Sequence, residues 1–408
     1  MTERLISLVG IAVLIGIAIA FSTNRRAISP RVVIAAFLLQ AAIALFVLYV
    51  PVGRDAIQVL TNAVQAVVDY SNAGIEMVFG GLANVEGFSF AVRVLPMVIF
   101  FSSLMAVLYH LRVMQIVVRL IGGAIQWIIG TRAVESLNAA ANVFVGQTES
   151  PLMVKPYLRN LTEAQVFTIM VSGLASVAGT VLAAYAQMGV RLDYLLAASF
   201  MAAPGGLLMA KLLMPDEEAD TESEDPGLVE AEDSHHSNVI LAAADGAHVG
   251  LKLAVNIGAM LIAFVSLIAL FNGVVGFLGD LVGMENTPTL EGILGFIFAP
   301  LMWLLSVPWE EAALVGALFG EKLILNEFVA FLHMGEVVDS MSPRAEAVAT
   351  FSLCGFANLS SIAILLGGLG TLIPEKRELI GKYGLRAVMA GSLSNLMSAA
   401  LASLVIVA

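Results

Sequence analysis

The chain has 408 residues, 59% of them hydrophobic and 13% charged, with a mean hydropathy of +0.92. Soluble domains are about one quarter charged, so the composition excludes a soluble globular protein and describes an integral membrane protein. The net charge of −12 is concentrated rather than general: ten carboxylates and no Lys or Arg lie in residues 215–238, so no nucleic-acid partner is expected. Cys354, the only cysteine, leaves no intrachain disulfide and no thiol metal cluster.

Apolar runs long enough to cross a hydrocarbon core of about 30 Å recur at residues 5–22, 32–50, 88–109, 164–188, 195–214, 252–271, 345–366 and 387–408. Before the first run Arg4 is offset by Glu3, whereas Arg25, Arg26 and Arg31 follow it. That bias holds the following loop in the cytoplasm, so the first span is read as uncleaved with its N-terminus outside, despite "AIA" at Ala18 to Ala20. After the second span, residues 55–84 are moderately apolar with polar interruptions and predict a helix lying in the interface or leaning on the bundle.

Residues 131–161 are flanked by Arg132 on one side and by Lys155 and Arg159 on the other, so both ends look cytoplasmic. Each arm around Gly146 is about 13 residues, or about 20 Å of helix, too short to cross. The simplest geometry is a re-entrant hairpin with GQTESP at its tip, Pro151 opening the returning arm; one long tilted helix with a polar kink is the alternative. "TEAQ" at Thr162 to Gln165 is a capping box that starts the next span. The acidic stretch, with His235 and His236, reads as a solvated linker between two halves.

Between Phe271 and Glu321 there is no Lys or Arg. There "SVPWEEAALVGALFGEKLILNEFVAFLHM" predicts a second hairpin entering from the outside, opening at Pro308, turning near Gly320 and returning through Glu327. "SGLASVAGTVL" follows the first hairpin and "CGFANLSSIAILLGG" the second, each a span weakened by small and polar residues. The prediction is an all-α polytopic membrane protein of about eight transmembrane helices plus two re-entrant hairpins of opposite orientation. This inverted repeat is the architecture of secondary transporters with a midplane site. The expected layout is residues 1–130 mainly scaffold, 131–214 the first hairpin and two spans, 215–250 a cytoplasmic loop, 251–307 scaffold, and 308–408 the second hairpin and two spans. Both termini fall outside.

An ionisable group inside a bilayer costs about 2.5 to 3.5 kcal/mol on insertion scales, so it is a functional candidate. Gln147, Thr148 and Glu149 put an amide, a hydroxyl and a carboxylate on a non-helical tip, suited to a neutral solute with mixed donors and acceptors or to capping broken helix ends. Glu327, beside Asn326, can accept from two adjacent hydroxyls or pair with Lys322. Phe356, Asn358 and Ser361 share one face only if their span is unwound, and would then stack a planar ring and bind polar edges, unless Phe356 is core packing. Glu310 and Glu311 suit the first turn of a helix, and His110, His248 and His333 look isolated. There is no Walker A, HExxH or GxSxG pattern, so the chain is not expected to be an enzyme.

At "GQTESP", "SGLASVAGTVLAAY", "GEKLILNEFVAF" and "CGFANLSSIAI", in that order over nearly the whole length, the chain resembles the concentrative nucleoside transporters. The resemblance implies a homotrimer in the inner or plasma membrane, each protomer having a scaffold and a mobile transport part. It puts Gln147, Thr148, Glu149 and Val181 around the nucleobase with Phe356 stacking near it, and Glu327, Asn358 and Ser361 on the ribose hydroxyls. It also implies a co-transported sodium ion held by Asn142, Val145, Ser176 and Val177, where Val177 stands for the family's isoleucine. Proton coupling through Glu149 or Glu327 is the alternative. Ser150 departs from the alanine of "GQTEAP" and is expected to bias substrate preference. Outside this family, the rivals are a two-hairpin carrier for another solute and a passive gate.

Overall fold

Every regular element is helical in the computed structural model, which describes residues 2–84, 90–217, 237–281, 283–284 and 287–406. His235, His236 and most of the acidic stretch lie outside the described residues. The N-terminal third comprises α1 (Thr2–Ala20), α2 (Pro30–Leu48), α3 (Pro51–Phe79), α4 (Leu95–His110) and α5 (Val113–Ile129). Prolines stand in the first turns of α2, α3 and α4, where the missing N–H costs nothing. α5, which carries Arg119 within it, is an apolar helix outside the expected runs.

The first hairpin sequence forms α6 (Ala133–Ala141), a turn, and a 3-10 helix (Ser150–Asn160) that packs back against α6. Eleven residues is long for a 3-10 helix, and it contains Pro151 and Pro156, neither of which has an N–H to give. α7 (Glu163–Ala175) opens on the predicted box, Thr162 and Gln165 capping each other reciprocally. The expected span 164–188 is broken at residues 176–178 and resumes as α8 (Gly179–Gln187); α9 (Leu192–Leu213) follows.

α10 (Val239–Leu281) runs for 43 residues, so residues 239–250, assigned to the loop from their charge context, are already helical. α11 (Leu290–Leu304) and α12 (Trp309–Ile324) meet at a bend of 117°. α12 continues unbroken through Gly320, and the turn falls at Leu325 and Asn326 before α13 (Glu327–Val337). Gly320 serves packing instead: a Cβ there would lie 2.7 Å from the Cβ of Leu294. The turn is set by Asn326, whose side chain accepts the Val329 N–H at 2.9 Å and caps α13.

The expected span 345–366 is likewise divided, into α14 (Pro343–Leu353) and α15 (Ser360–Gly367), followed by α16 (Leu369–Leu372) and α17 (Arg377–Val405). Among the described residues six helical stretches, α7 with α8 counted as one, are long and apolar enough to cross a membrane, and the apolar part of α1, Arg4–Ala20, is shorter. The expected span 345–366 is in pieces.

α9 and α17 are buried along most of their length and form the centre, packed against α7 and α14. α1 and α2 also pack on α17 and α9, and α2 packs on α3 and α5 as well. α4 instead pairs with α10, where Ala242, Gly246, Gly250 and Ala254, four residues apart, give a buried stripe of small side chains.

Candidate functional site

Polar groups enter this core where helices stop. In the first turn the Glu149 and Ser150 N–H groups both bond the Gly146 carbonyl, at 3.1 and 3.0 Å. The two broken spans cross at their breaks: Phe356 donates its N–H to the Ser176 carbonyl at 3.0 Å, and Gly179 donates to the Phe144 carbonyl at 3.0 Å. Backbone groups that a continuous helix would satisfy internally are thereby satisfied between elements.

A cavity of about 900 Å³ opens at this crossing. It is lined by Gln147, Thr148, Glu149, Val181, Glu327, Phe356, Asn358 and Ser361, so all eight residues singled out from sequence for the solute face one space, together with Val145. Their polar ends are joined across the breaks. Asn358 donates its amide to one Glu327 oxygen at 3.2 Å, and Tyr185 donates its hydroxyl to the other at 3.1 Å. Gln147 donates to the Ser361 hydroxyl at 3.3 Å, while the Gln147 amide oxygen has no partner. Asn358 Oδ1 accepts from the Ser360 hydroxyl and the Ser361 N–H, which makes it the N-terminal anchor of α15. Glu149 is exposed within the cavity.

Several expectations change here. Lys322 does not pair with Glu327; its ammonium donates to the Ser352 carbonyl at 3.0 Å and to Asn395 Oδ1 at 2.7 Å. Asn326 lines the cavity and also uses its side-chain oxygen to cap α13. Glu311 does more than face a helix dipole, since its two oxygens accept from the Ser342 N–H and hydroxyl at the start of α14. His333 is not isolated: its ring nitrogen lies 3.0 Å from Glu321. Tyr185 was missed by sequence reasoning, although it sits four residues after Val181 in a motif already singled out and therefore on the same helical face.

Of the four residues expected around the ion, Val145 lines the cavity, whereas Asn142, Ser176 and Val177 are not in its lining. Asn142 terminates α6, with its amide N–H bonded to the Asn138 carbonyl at 2.9 Å and its Oδ1 accepting the Ser150 hydroxyl at 2.8 Å. Ser176 terminates α7, and its hydroxyl donates to the Ser172 carbonyl at 3.1 Å. The carbonyls of Val145 and Val177 accept no main-chain N–H among the described residues. The set offers amide, hydroxyl and carbonyl oxygens only, the hard donors an alkali cation takes, in contrast to the nitrogen and sulfur ligands of transition metals. Ser150 donates to Asn142 and does not itself line the cavity.

Comparison with known proteins identifies the family of the chain. A family model described as "Na+ dependent nucleoside transporter C-terminus" matches residues 194–403, its N-terminal counterpart matches 9–82, and a "Nucleoside recognition" gate model matches 91–191. The chain belongs to the concentrative nucleoside transporter family. Among this transporter's relatives, nucleoside permease NupC of Helicobacter pylori is 46% identical over 99% of this chain and 98% of its own. Sodium/nucleoside cotransporter 1 of Mus musculus is 37% identical over 99% of this chain and 64% of its own. The transporter's fold superposes with a TM-score of 0.93 on CNTnw "in an inward-facing substrate-bound state", at 50% identity over 98% of this chain and 97% of that one.

Proposed function

We propose that this transporter is a sodium-coupled nucleoside symporter working by alternating access of an elevator type, as a homotrimer in the cell membrane with both termini outside. The observation that carries the reading is the single cavity shared by Gln147, Thr148, Glu149, Val181, Glu327, Phe356, Asn358 and Ser361. A nucleoside is a flat ring with donor and acceptor edges joined to a polar diol. The first turn supplies the edge partners, Phe356 a face, and Glu327 with Asn358 and Ser361 the acceptors and donors for the diol. Tyr185 and Asn358 hold the Glu327 carboxylate in place before substrate arrives, which lowers the ordering cost of binding.

Sodium coupling is supported by the all-oxygen set of Asn142, Val145, Ser176 and Val177, by the family description, and by the name of the mouse relative. In this reading the two polar turns are re-entrant hairpin tips, and the breaks in α7–α8 and α14–α15 let main-chain oxygens face the ion. The elevator is supported by the composition of the walls. One wall carries the breaks; the other is the α4 and α10 pair, mostly apolar through Met105, Ala106, Val249, Leu253 and Ile257 but also contributing Ser102, Tyr109, Asp245 and Asn256. An unbalanced Glu149 charge is costly to carry past that apolar face, whereas an ion and a substrate together screen it. Coupling then follows from the differential cost of moving empty and loaded sites.

The test is uptake of labelled uridine and adenosine into proteoliposomes under an inward sodium gradient, an inward proton gradient or none, for the natural protein, Glu149→Gln and Glu327→Gln. Accumulation driven by sodium and lost in both variants is expected. Proton-driven accumulation would remove the sodium assignment, and gradient-independent equilibration would make the protein a gate.

A further inference from the structure

One buried polar node is not used by the solute cavity. Lys322 on α12 is 0% exposed and Asn395 on α17 is 2% exposed. The Asn395 amide donates to two main-chain carbonyls, Ala175 at 2.7 Å and Cys354 at 2.9 Å. Ala175 is the last residue of α7 and Cys354 caps the end of α14. The same side chain therefore caps both half-helices at the points where the two spans break. Its Oδ1 accepts from Lys322, whose ammonium also reaches the Ser352 carbonyl near the end of α14.

Chemistry and space both specify this arrangement. The end of a helix presents unsatisfied carbonyls and about half a negative charge, and here two such ends converge in a protein interior where unpaired polar groups are expensive. An amide N–H₂ has two donors, one for each carbonyl, and a buried ammonium beside the amide oxygen complements the combined negative ends. Room for the amide depends on Gly355, since a Cβ at that position would lie 2.2 Å from Asn395 Oδ1. Beyond the node, the two breaks lead in different directions. Ser176 and Val177 follow Ala175 toward the oxygen set proposed for the ion; Phe356, Asn358 and Ser361 follow Cys354 into the solute cavity.

We infer that Asn395, charged through Lys322, is the positioning residue that couples the ion set to the nucleoside set by fixing the two broken spans to one another. The inference rests on the proposed symport. Neither residue lines the cavity; Asn395 acts through the two carbonyls it holds, and Lys322 through Asn395 and the Ser352 carbonyl, with Glu327 close enough to feel its charge. When the ion orders Ser176 and Val177, the shared cap transmits that order to the segment of Phe356 and Asn358. Coupling of this kind is reciprocal between the two ligands.

The readout is a ratio, the affinity of the purified full-length protein for uridine in sodium divided by that in its absence, with thermal unfolding followed in parallel. In the natural protein sodium tightens uridine binding. In Asn395→Ala and in Lys322→Met the ratio falls toward one, and Asn395→Gln, which keeps the amide, restores part of it. Should Asn395→Ala not fold, Lys322→Met and Asn395→Gln carry the same comparison. A ratio equal to that of the natural protein in variants that fold, or equal losses of affinity with and without sodium, would overturn the inference and leave the symporter intact. Absence of sodium-dependent uridine binding in the natural protein would overturn both.

Discussion

At the scale of single residues, the most informative side chain is Ser150. Its hydroxyl donates to Asn142 Oδ1, so the oxygen proposed as an ion ligand is oriented by this neighbour. A carbonyl oxygen has two lone pairs and can accept this bond while facing a cation. Removing the hydroxyl forfeits about 0.5 to 1.5 kcal/mol of orientation. Ser150→Ala is therefore expected to weaken apparent sodium affinity by about 2- to 12-fold, the same energy expressed as a ratio, while uridine affinity at saturating sodium and the preference between uridine and adenosine stay put. A sodium titration of uptake checks this; a changed nucleoside preference with unchanged sodium dependence would assign Ser150 to the solute.

At the scale of elements, the connection between α6 and α9 is a buried ionic contact. Lys211 lies 2.6 Å from Glu135 and 2.6 Å from Asp216, with Lys211 and Glu135 sealed from solvent and Asp216 partly open. Removing one partner leaves a buried charge uncompensated, at about 3 to 5 kcal/mol. Lys211→Met should lower the unfolding midpoint in detergent markedly, and adding Glu135→Gln should recover much of the loss. Equal midpoints for Lys211→Met and the natural protein would show that the contact contributes nothing.

How far such elements could be read in advance depended on whether the deciding contacts were local. The GQTESP turn and the Thr162 cap rest on residues within a few positions of one another, and both were legible. The weakness of 164–188 and 345–366 was visible as small and polar residues, but the position of each break was not. It is set by Asn395, more than 200 positions away from Ala175 in the chain. The second turn was misplaced at Gly320 because glycine signals close packing as readily as a bend, and only the neighbouring Leu294 distinguishes the two. Tyr185 carried a helical-spacing signal, whereas the partners of Lys322 left none in the sequence.

At the scale of the whole molecule, two bodies of different character share the cavity. The central one, around α9 and α17, is buried and carries every polar break described above. The other, α4 with α10, is apolar and largely exposed along α10, whose 43 residues extend about 65 Å, twice the hydrocarbon thickness of about 30 Å. In the proposed elevator, such a helix would stay in contact with the membrane if the central body moved by one or two helical turns.

The chain's single thiol stands at the crossing of the two broken spans. Cys354 is 1% exposed, and its carbonyl is one of the two held by Asn395. An alkylating reagent therefore has no target on the closed molecule, and its rate of reaction reports how often the crossing comes apart. The natural protein should resist membrane-permeant maleimide for as long as it stays folded, and Asn395→Ala should react faster under the same conditions. The unmodified sequence thus serves as a silent background for site-directed labelling and carries its own clock for the opening of its core.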